Sequence, residues 1–149
     1  MKILSFKTKV GWITLEEKFN KIQRIQFRKK KNFGKSKNLT RLKHQIIKFC
    51  LGEKKKINTN IKISGTLLQK KIWNELSNIP YGSTKSYGEV AAKVKTSPRY
   101  VGNVCGQNQH VIVIPCHRVI RSDGNLGGFS GIGGVKLKKK LIDLEKMNV

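Results

Sequence analysis

Cys116 and His117 are adjacent residues whose side chains could carry out covalent chemistry together. A thiol attacks as its thiolate, so the proton acceptor His117 or the cation Arg118 would activate it by lowering its pKa. Neighbouring side chains of an extended chain point in opposite directions, so the chain must turn here or a water must relay the proton. The pair is therefore weak evidence for a protease-like dyad, and the alternative is that Cys116 is a small buried hydrophobe. The sequence has no second Cys/His cluster to complete a metal site.

An apolar stretch leads into this pair. Residues 111–114 are continuously apolar and β-branched, which predicts a strand buried on both faces that Pro115 ends. We expect the end of this strand to hold Cys116 in a fixed position. A glycine-rich segment, residues 122–134, follows and could offer backbone N–H groups to a flat ligand, although it matches neither the Walker nor the dinucleotide-binding pattern.

The charge of the chain indicates its partner. Its 149 residues include 32 Lys and Arg against 8 Asp and Glu, a net charge of +24, which predicts a polyanion partner. Nucleic acid is the first candidate and an acidic membrane surface the second. The sequence has no apolar run of about 20 residues and no signal-peptide pattern, so we expect no membrane association. Three widely spaced cysteines predict a cytoplasmic protein without a disulfide framework.

The chain divides into two predicted domains, residues 1–60 and 61–149, with a polar connector around residues 53–64. The first is small and very basic, because residues 1–56 hold 18 basic and 3 acidic side chains. Its pattern predicts strands over residues 10–15 and 19–27 and an amphipathic helix over 39–51. The fold class is therefore α+β.

The second part is mostly helical. Leu68, Ile72 and Leu76 repeat at helical spacing. Ser86 and Glu89 form a capping box that opens a short helix, and Ser97 caps another whose first residue is proline. Two short helices joined by about three residues predict a helix-turn-helix.

Spacing separates two faces of the second of these short helices. One face is predicted to be core and comprises Val101, Val104, Cys105 and Asn108. The other face has small side chains beside one arginine and comprises Arg99, Gly102, Asn103 and Gly106. Such a surface would let backbone approach nucleic acid and insert Arg99 through the minor groove. The alternative is an ordinary surface arginine.

The last predicted helix covers residues 135–147. Its leucines, Leu137, Leu141 and Leu144, are expected to face inward, with Lys138 and Glu145 elsewhere on the helix. We expect Glu145 to face solvent unless it orients a histidine.

Together these motifs resemble a known family. The run Ile114-Pro115-Cys116-His117-Arg118-Val119, the segment from Ser97 to Asn103 with Asn108, and Gly128-Phe129-Ser130-Gly131 are similar to the O6-alkylguanine-DNA alkyltransferases. The resemblance runs from about residue 65 to 145. It implies an N-terminal α/β domain of ribonuclease-H-like fold and a mostly helical C-terminal domain that carries the helix-turn-helix and the reactive cysteine.

The resemblance also implies the chemistry. A nucleotide is flipped out of the duplex, and the cysteine takes its alkyl group irreversibly in a single turnover. Cys116 would be the nucleophile and acceptor, and His117 would deprotonate it through a water. Glu145 would orient His117, and Tyr87 would hydrogen-bond the extruded guanine.

Further roles follow from the same resemblance. Arg99 would take the place of the flipped base, beside DNA contacts from Ser97, Gly102 and Asn103. The remaining pocket positions would be Asn108 as a hinge, the Val119 carbonyl, the Phe129 wall, the Ser130 amide and Lys138. Phe129 replaces the tyrosine of many members. Gly133 and Gly134 lengthen the loop, so Lys136 is an alternative to Lys138.

The resemblance thus predicts a monomeric enzyme that repairs O6-alkylguanine in double-stranded DNA directly, from the minor groove, without metal or organic cofactor. One rival is a non-enzymatic module of the same fold that recognises alkylated bases, although such relatives lack the cysteine. The other rival is a basic architectural chromatin protein in which Cys116 belongs only to the core.

Overall fold

The computed structural model describes residues 1–127 and 134–149, and the predicted contacts of Phe129 and Ser130 lie outside them. The chain has the α+β fold that the sequence predicts. Within the described residues its elements, in order, are β1 (Lys2–Thr8), β2 (Gly11–Lys18), β3 (Lys21–Gln26), α1 (Lys37–Cys50), α2 (Leu67–Ser77), β4 (Lys85–Ser86), α3 (Tyr87–Val94), α4 (Pro98–Gly106), a 3₁₀ turn (Cys116–Arg118), β5 (Val119–Ile120) and α5 (Gly134–Met147).

The first three strands form an antiparallel sheet in the order β1-β2-β3. A two-residue turn joins β2 to β3, and both of its residues, Phe19 and Asn20, have positive φ angles of 53° and 61°. Such turns match the twist of a hairpin. Strand β1 was not predicted, because only Phe6 among its residues is buried and the alternating pattern is weak.

The outer edge of β3 is covered by chain from beyond the sheet. The Ile22 amide donates to the Asn60 carbonyl at 2.8 Å, and the Ile25 amide donates to the Gln109 carbonyl at 2.8 Å. His110 is buried here, with its Nε2 3.2 Å from the Ile22 carbonyl oxygen. These bonds fix the start of the segment that leads to Cys116.

Two hydrophobic clusters stabilise the fold by removing apolar surface from water. The first joins the sheet and α1 to Val111, Ile112, Leu137 and Leu141. The second lies among α2, α3 and α4 and includes Cys116. The segment between residue 111 and Cys116 therefore passes from one cluster to the other.

The strand predicted over residues 111–114 is wrong. Val111 makes one bond to β3, through its amide to the Ile25 carbonyl at 3.2 Å, and then the chain turns. Ile112 has a φ of 72°, a rare conformation for a β-branched residue. The burial was predicted correctly, since Val111, Ile112 and Ile114 are all buried. A short apolar run indicates burial more reliably than it indicates secondary structure.

The predicted helix starts are confirmed. Ser86 accepts from the Glu89 amide at 3.0 Å while the Glu89 carboxylate accepts from the Ser86 amide at 3.2 Å. Ser97 accepts from the Tyr100 amide at 3.1 Å, with proline at the first helical position. Three residues, 95–97, separate α3 from α4. No helix in the described parts of the chain has both the length and the apolar character needed to cross a membrane.

Candidate active site

Cys116 opens the 3₁₀ turn and lines a cavity of about 680 Å³. Its amide donates to the Ile114 carbonyl at 2.8 Å, and its carbonyl accepts from the Val119 amide. The thiol is buried, with 5% of the residue exposed. The turn resolves the difficulty posed by adjacent Cys and His side chains, because the chain is not extended at this point.

In the described parts of the chain, three elements line this cavity beside the turn that carries Cys116. Helix α3, helix α4 and the loop after β5 contribute side chains or backbone close to the Cys116 thiol. Arg99, Gly102 and Gly106 come from the face of α4 that the sequence assigns to small residues and one arginine. The other lining residues are Tyr87, Gly88, Pro98, Cys105, Arg121, Ser122 and Gly127.

His117 and Arg118 both contact the carboxylate of Glu145 on α5. His117 Nε2 lies 2.5 Å from Glu145 Oε2. Arg118 donates from Nε to Oε1 at 2.8 Å and from Nη2 to Oε2 at 2.9 Å. The Gly82 amide donates to Oε1 at 3.1 Å. Glu145 is only 1% exposed, so of the two positions expected for it the structure gives the one beside the histidine.

This cluster sets the protonation of the imidazole. Burial acts to raise the pKa of Glu145, but hydrogen bonds and charge from His117 and Arg118 lower it to about 2. Burial lowers the pKa of His117 despite the opposing effect of Glu145. A neutral His117 that donates from Nε2 to Glu145 leaves its Nδ1 as the proton acceptor.

The environment of the Cys116 thiol favours its protonated form. Burial raises its pKa, while a hydrogen bond from the Asn108 side chain and the charge of Lys138 act in the opposite direction. Asn108 also donates from Nδ2 to the Ile114 carbonyl at 2.8 Å and accepts at Oδ1 from the His110 amide at 2.9 Å. Asn108 therefore joins the end of α4 to the residues on either side of the turn over 111–113.

Tyr87, which lines the cavity, is hydrogen-bonded to Lys138. Lys138 is fully buried on α5, and its Nζ donates to the Tyr87 hydroxyl at 3.2 Å and to the Leu126 carbonyl at 2.5 Å. Burial, together with the nearby Cys105 and Cys116, raises the pKa of Tyr87 to about 12, so its hydroxyl keeps its proton. Lys136 is exposed. The geometry therefore favours Lys138 over Lys136 as the pocket lysine.

Three of the remaining predicted residues, Val119, Ser97 and Asn103, are not among the described residues that line this cavity. Val119 is fully buried in β5, which pairs in parallel with β4. Ser97 is the N-cap of α4, and Asn103 is exposed on that helix. Within the described ranges no group of three or more His, Cys, Asp or Glu side chains could hold a metal ion.

Sequence reasoning missed two features of the site. Arg118 was considered only as a cation for the thiol, but its guanidinium binds Glu145 and donates from Nη1 to the Ile79 carbonyl at 2.8 Å. Cys105 belongs to the core as predicted, but that prediction did not foresee that its thiol also lines the cavity. For Arg118 the available signal was its position beside an apolar run, because a buried arginine needs a carboxylate partner.

Known proteins resemble this chain in sequence. A family model described as 6-O-methylguanine DNA methyltransferase, DNA binding domain, matches residues 67–147. A methylated-DNA–protein-cysteine methyltransferase of Methanothermobacter thermautotrophicus is 49% identical over 84 residues, which are 56% of this chain and 47% of that protein. One of Sulfolobus acidocaldarius is 36% identical over 119 residues, 80% of this chain and 75% of that protein. The chain thus spans about half the length of the first relative and three quarters of the second.

The fold is also similar to a solved structure. The crystal structure of Mycobacterium tuberculosis OGT in complex with DNA matches with a TM-score of 0.88 at 29% identity, covering 99% of this chain and 94% of that one. The family model covers more than half of the chain and includes Cys116, His117 and Glu145. The chain belongs to the 6-O-methylguanine DNA methyltransferase family.

Proposed function

We propose that this protein repairs O6-alkylguanine in double-stranded DNA by moving the alkyl group to Cys116 in a single, irreversible turnover. The observation that carries the proposal is the placement of the Cys116 thiol in a cavity, directly before a histidine held by a buried carboxylate. Two relatives are named methylated-DNA–protein-cysteine methyltransferases, which supports the proposed reaction. One solved relative is in complex with DNA, which supports the proposed partner.

The proposed reaction begins with the thiol. His117 Nδ1 accepts the Cys116 proton through a water, and the thiolate attacks the alkyl carbon of the lesion. The bond from sulfur to carbon forms as the bond from carbon to guanine O6 breaks, and its electron pair remains on guanine. Guanine accepts a proton from the Tyr87 hydroxyl. The proton that His117 took from Cys116 offsets the one lost by Tyr87, so the net charge of the site does not change. The products are S-alkylcysteine and guanine.

The Tyr87 environment suits this proton transfer. Lys138 donates a hydrogen bond to the Tyr87 oxygen, which stabilises the phenolate that forms when the proton leaves. The raised pKa of Tyr87 keeps the hydroxyl a donor before substrate arrives. We propose that the Val119 carbonyl and the second lone pair of the Cys116 carbonyl read the edge of the guanine. Phe129 and Ser130 keep their predicted pocket roles as part of this proposal.

Access to the lesion requires that the base leave the duplex. We propose that α3 and α4 act as a helix-turn-helix whose exposed Arg99 replaces the flipped base from the minor groove. Gly102 lines the cavity beside Arg99. Ser97, the N-cap of α4, and Asn103, on that helix, are both exposed. We propose that the protein acts as a monomer, with residues 1–60 as a ribonuclease-H-like domain and residues 61–149 as the reactive domain.

The fate of the lesion tests the reaction. A duplex with one O6-methylguanine is mixed with protein at molar ratios below and above one, digested to nucleosides and analysed by mass spectrometry. We expect O6-methylguanine to be replaced by guanine in the DNA, one lesion per protein molecule consumed. Loss of the lesion with release of a free base, or tight binding with the lesion intact, would contradict the proposal, and the second result would indicate a recognition module.

Arg99 tests base extrusion separately from chemistry. We expect Arg99→Ala to slow methyl transfer from duplex DNA far more than transfer from free O6-methylguanine, because the free base needs no flipping. Lys93→Ala, which removes an exposed charge from α3, is the matched control and should affect neither substrate strongly. Equal slowing of both substrates by Arg99→Ala would remove this role.

A further inference from the structure

Helix α1 carries a basic face that the proposed repair reaction does not use. We define the α1 basic face as Lys37, Arg41, His44 and Lys48, which are spaced four, three and four residues apart. Residues at this spacing lie on one side of a helix. All four are exposed, whereas Leu39, Leu42, Ile46, Phe49 and Cys50 form the buried side against the sheet.

The charge on this face is not balanced by nearby acids. Residues 1–56 contain three acidic side chains. Glu16 is buried and binds Lys30 Nζ at 3.0 Å, and Glu17 is buried and accepts from the Asn38 side chain at 2.6 Å. Glu53 follows the end of α1. Among the described residues, no ion pair within 4.0 Å joins an acid to any member of the α1 basic face.

The arrangement costs helix stability in the free protein. Like charges four residues apart, such as Lys37 and Arg41, repel each other and destabilise a helix. Lys37 also lies in the first turn, where the helix dipole disfavours a cation. A bound polyanion would relieve both costs.

A groove lies along the same end of the helix. It has a volume of about 780 Å³, and its basic lining residues are Lys35, Lys37, Arg41 and His44. Ser36 and Thr40 also line it. The Thr40 hydroxyl donates to the Ser36 carbonyl at 3.1 Å, whereas the Ser36 hydroxyl accepts from the Leu39 amide at 3.3 Å and keeps its own proton to donate. Cationic and hydroxyl groups around a groove suit the phosphates of a nucleic acid backbone, which accept from both. From Lys37 to Lys48 the helix spans about 16 Å, roughly the axial length of five successive nucleotides of one strand.

We propose that the α1 basic face and its groove bind the sugar–phosphate backbone of DNA as a second, sequence-independent contact. This contact is separate from the one proposed for α4, because α1 is a different helix. It packs in the cluster that contains the sheet, whereas α4 packs in the other cluster. The proposed contact rests on the proposed DNA partner but not on alkyl transfer. Its role is to raise affinity for any duplex, damaged or not.

The salt dependence of DNA binding tests this contact. The test variant combines Lys37→Gln, Arg41→Gln and Lys48→Gln, and glutamine retains helix propensity. Binding to an undamaged duplex of about 30 base pairs is measured by fluorescence anisotropy across salt concentrations. Three lost phosphate contacts should make the plot of log K against log salt less steep by about 2.7, since each contributes about 0.9.

A matched control removes the same charge elsewhere. The control variant combines Lys62→Gln, Lys140→Gln and Lys146→Gln, all exposed positions outside α1. We expect its slope to change by less than about 1, the value of one phosphate contact. An equal change in both variants would mean that net charge alone acts and would overturn the proposal.

Two further measurements distinguish a lost DNA contact from misfolding and from lost membrane binding. Methyl transfer from free O6-methylguanine should be unchanged in the α1 variant, which shows that the protein is folded and keeps the proposed reaction distinct from the DNA contact. Binding to phosphatidylserine vesicles is measured in parallel. Loss of vesicle binding in the α1 variant, with an unchanged DNA slope, would assign the face to membranes and overturn the proposal.

Discussion

Glu145 organises the reactive site at the level of single residues. Its carboxylate accepts from His117, from two nitrogens of Arg118 and from the Gly82 amide. This bonding keeps the carboxylate ionised in a buried position, where an unpaired charge would be costly. It also fixes the tautomer of His117 and thus the nitrogen that can accept a proton.

Replacing Glu145 by glutamine should reduce both reactivity and stability. Glu145→Gln removes the charge that orients His117, so we expect methyl transfer to slow by about 10²-fold or more, the scale of general base catalysis. It also leaves the buried Arg118 without a counter-charge, which should lower the free energy of unfolding by about 3 kcal/mol. Single-turnover kinetics and urea unfolding measure the two effects.

Two controls follow from the same carboxylate. The double variant Arg118→Gln, Glu145→Gln removes both charges and should recover part of the stability, but not the rate. The folded pKa of Glu145, about 2, lies below its ordinary 4.5. Its ionisation therefore stabilises the fold above pH 4.5, and this contribution should be lost as pH falls towards 2. A wild-type advantage over Glu145→Gln that did not shrink in acid would contradict this account.

The pH dependence of transfer should reflect the buried histidine. Burial lowers the pKa of His117 from 6.5, so the neutral imidazole persists as pH falls through 6.5. We expect the single-turnover rate with free O6-methylguanine to stay level through that range and to fall only at more acidic pH, when His117 becomes protonated. A rate that was half-maximal at pH 6.5 or above would show an ordinary or raised histidine pKa.

At the level of elements, the loop after β5 holds Tyr87 in place. Gly127 has a φ of 74°, and a Cβ there would lie 3.1 Å from Tyr87 Cε2 and 3.2 Å from its hydroxyl. Gly124, in the same loop, has a φ of 88° and open space around it. The two glycines share the left-handed backbone, but only at Gly127 would an added Cβ contact the proposed proton donor.

This difference gives a matched pair of variants. Gly127→Ala and Gly124→Ala should each cost about 1 kcal/mol of stability, since alanine is strained at these φ angles. Only Gly127→Ala must displace the Tyr87 ring by a few tenths of an ångström, so we expect it alone to slow methyl transfer, by roughly tenfold for so small a misplacement. Thermal unfolding and single-turnover rates compare them. Similar rates in both variants would mean that the position of Tyr87 is not limiting.

Local signals predicted the elements well where they depend on one or two residues. The caps at Ser86 and Ser97 were predicted because a side-chain oxygen and a nearby amide suffice to form them. The strand over residues 111–114 was wrong, because its apolar side chains are buried by a turn between two clusters. Asn108 and the edge of β3 impose that turn, and no local pattern encodes such long-range contacts.

For the whole molecule, the sequence predicted the α+β class and the identity of the site residues. It predicted less well how deeply those residues are buried. The Cys116 and His117 pair was apparent from residue types, whereas the burial of Lys138 and Glu145 was not. Helical spacing placed both residues away from the leucine face of α5, on a side that in most helices is exposed to solvent. Both are nevertheless buried. They are buried because the Cys116 turn and Tyr87 pack against that side of the helix, which only the tertiary structure shows.

The proposed reaction requires that Cys116 itself accept the alkyl group. Intact mass spectrometry of the protein after reaction with an O6-methylguanine duplex tests it, with peptide mapping and the Cys116→Ser and Cys105→Ser variants. Both thiols line the cavity, so Cys105→Ser is the matched control. We predict one methyl-sized gain on Cys116, which disappears in Cys116→Ser and persists in Cys105→Ser. No gain, or a gain on Cys105 that survives Cys116→Ser, would show that Cys116 is not the acceptor.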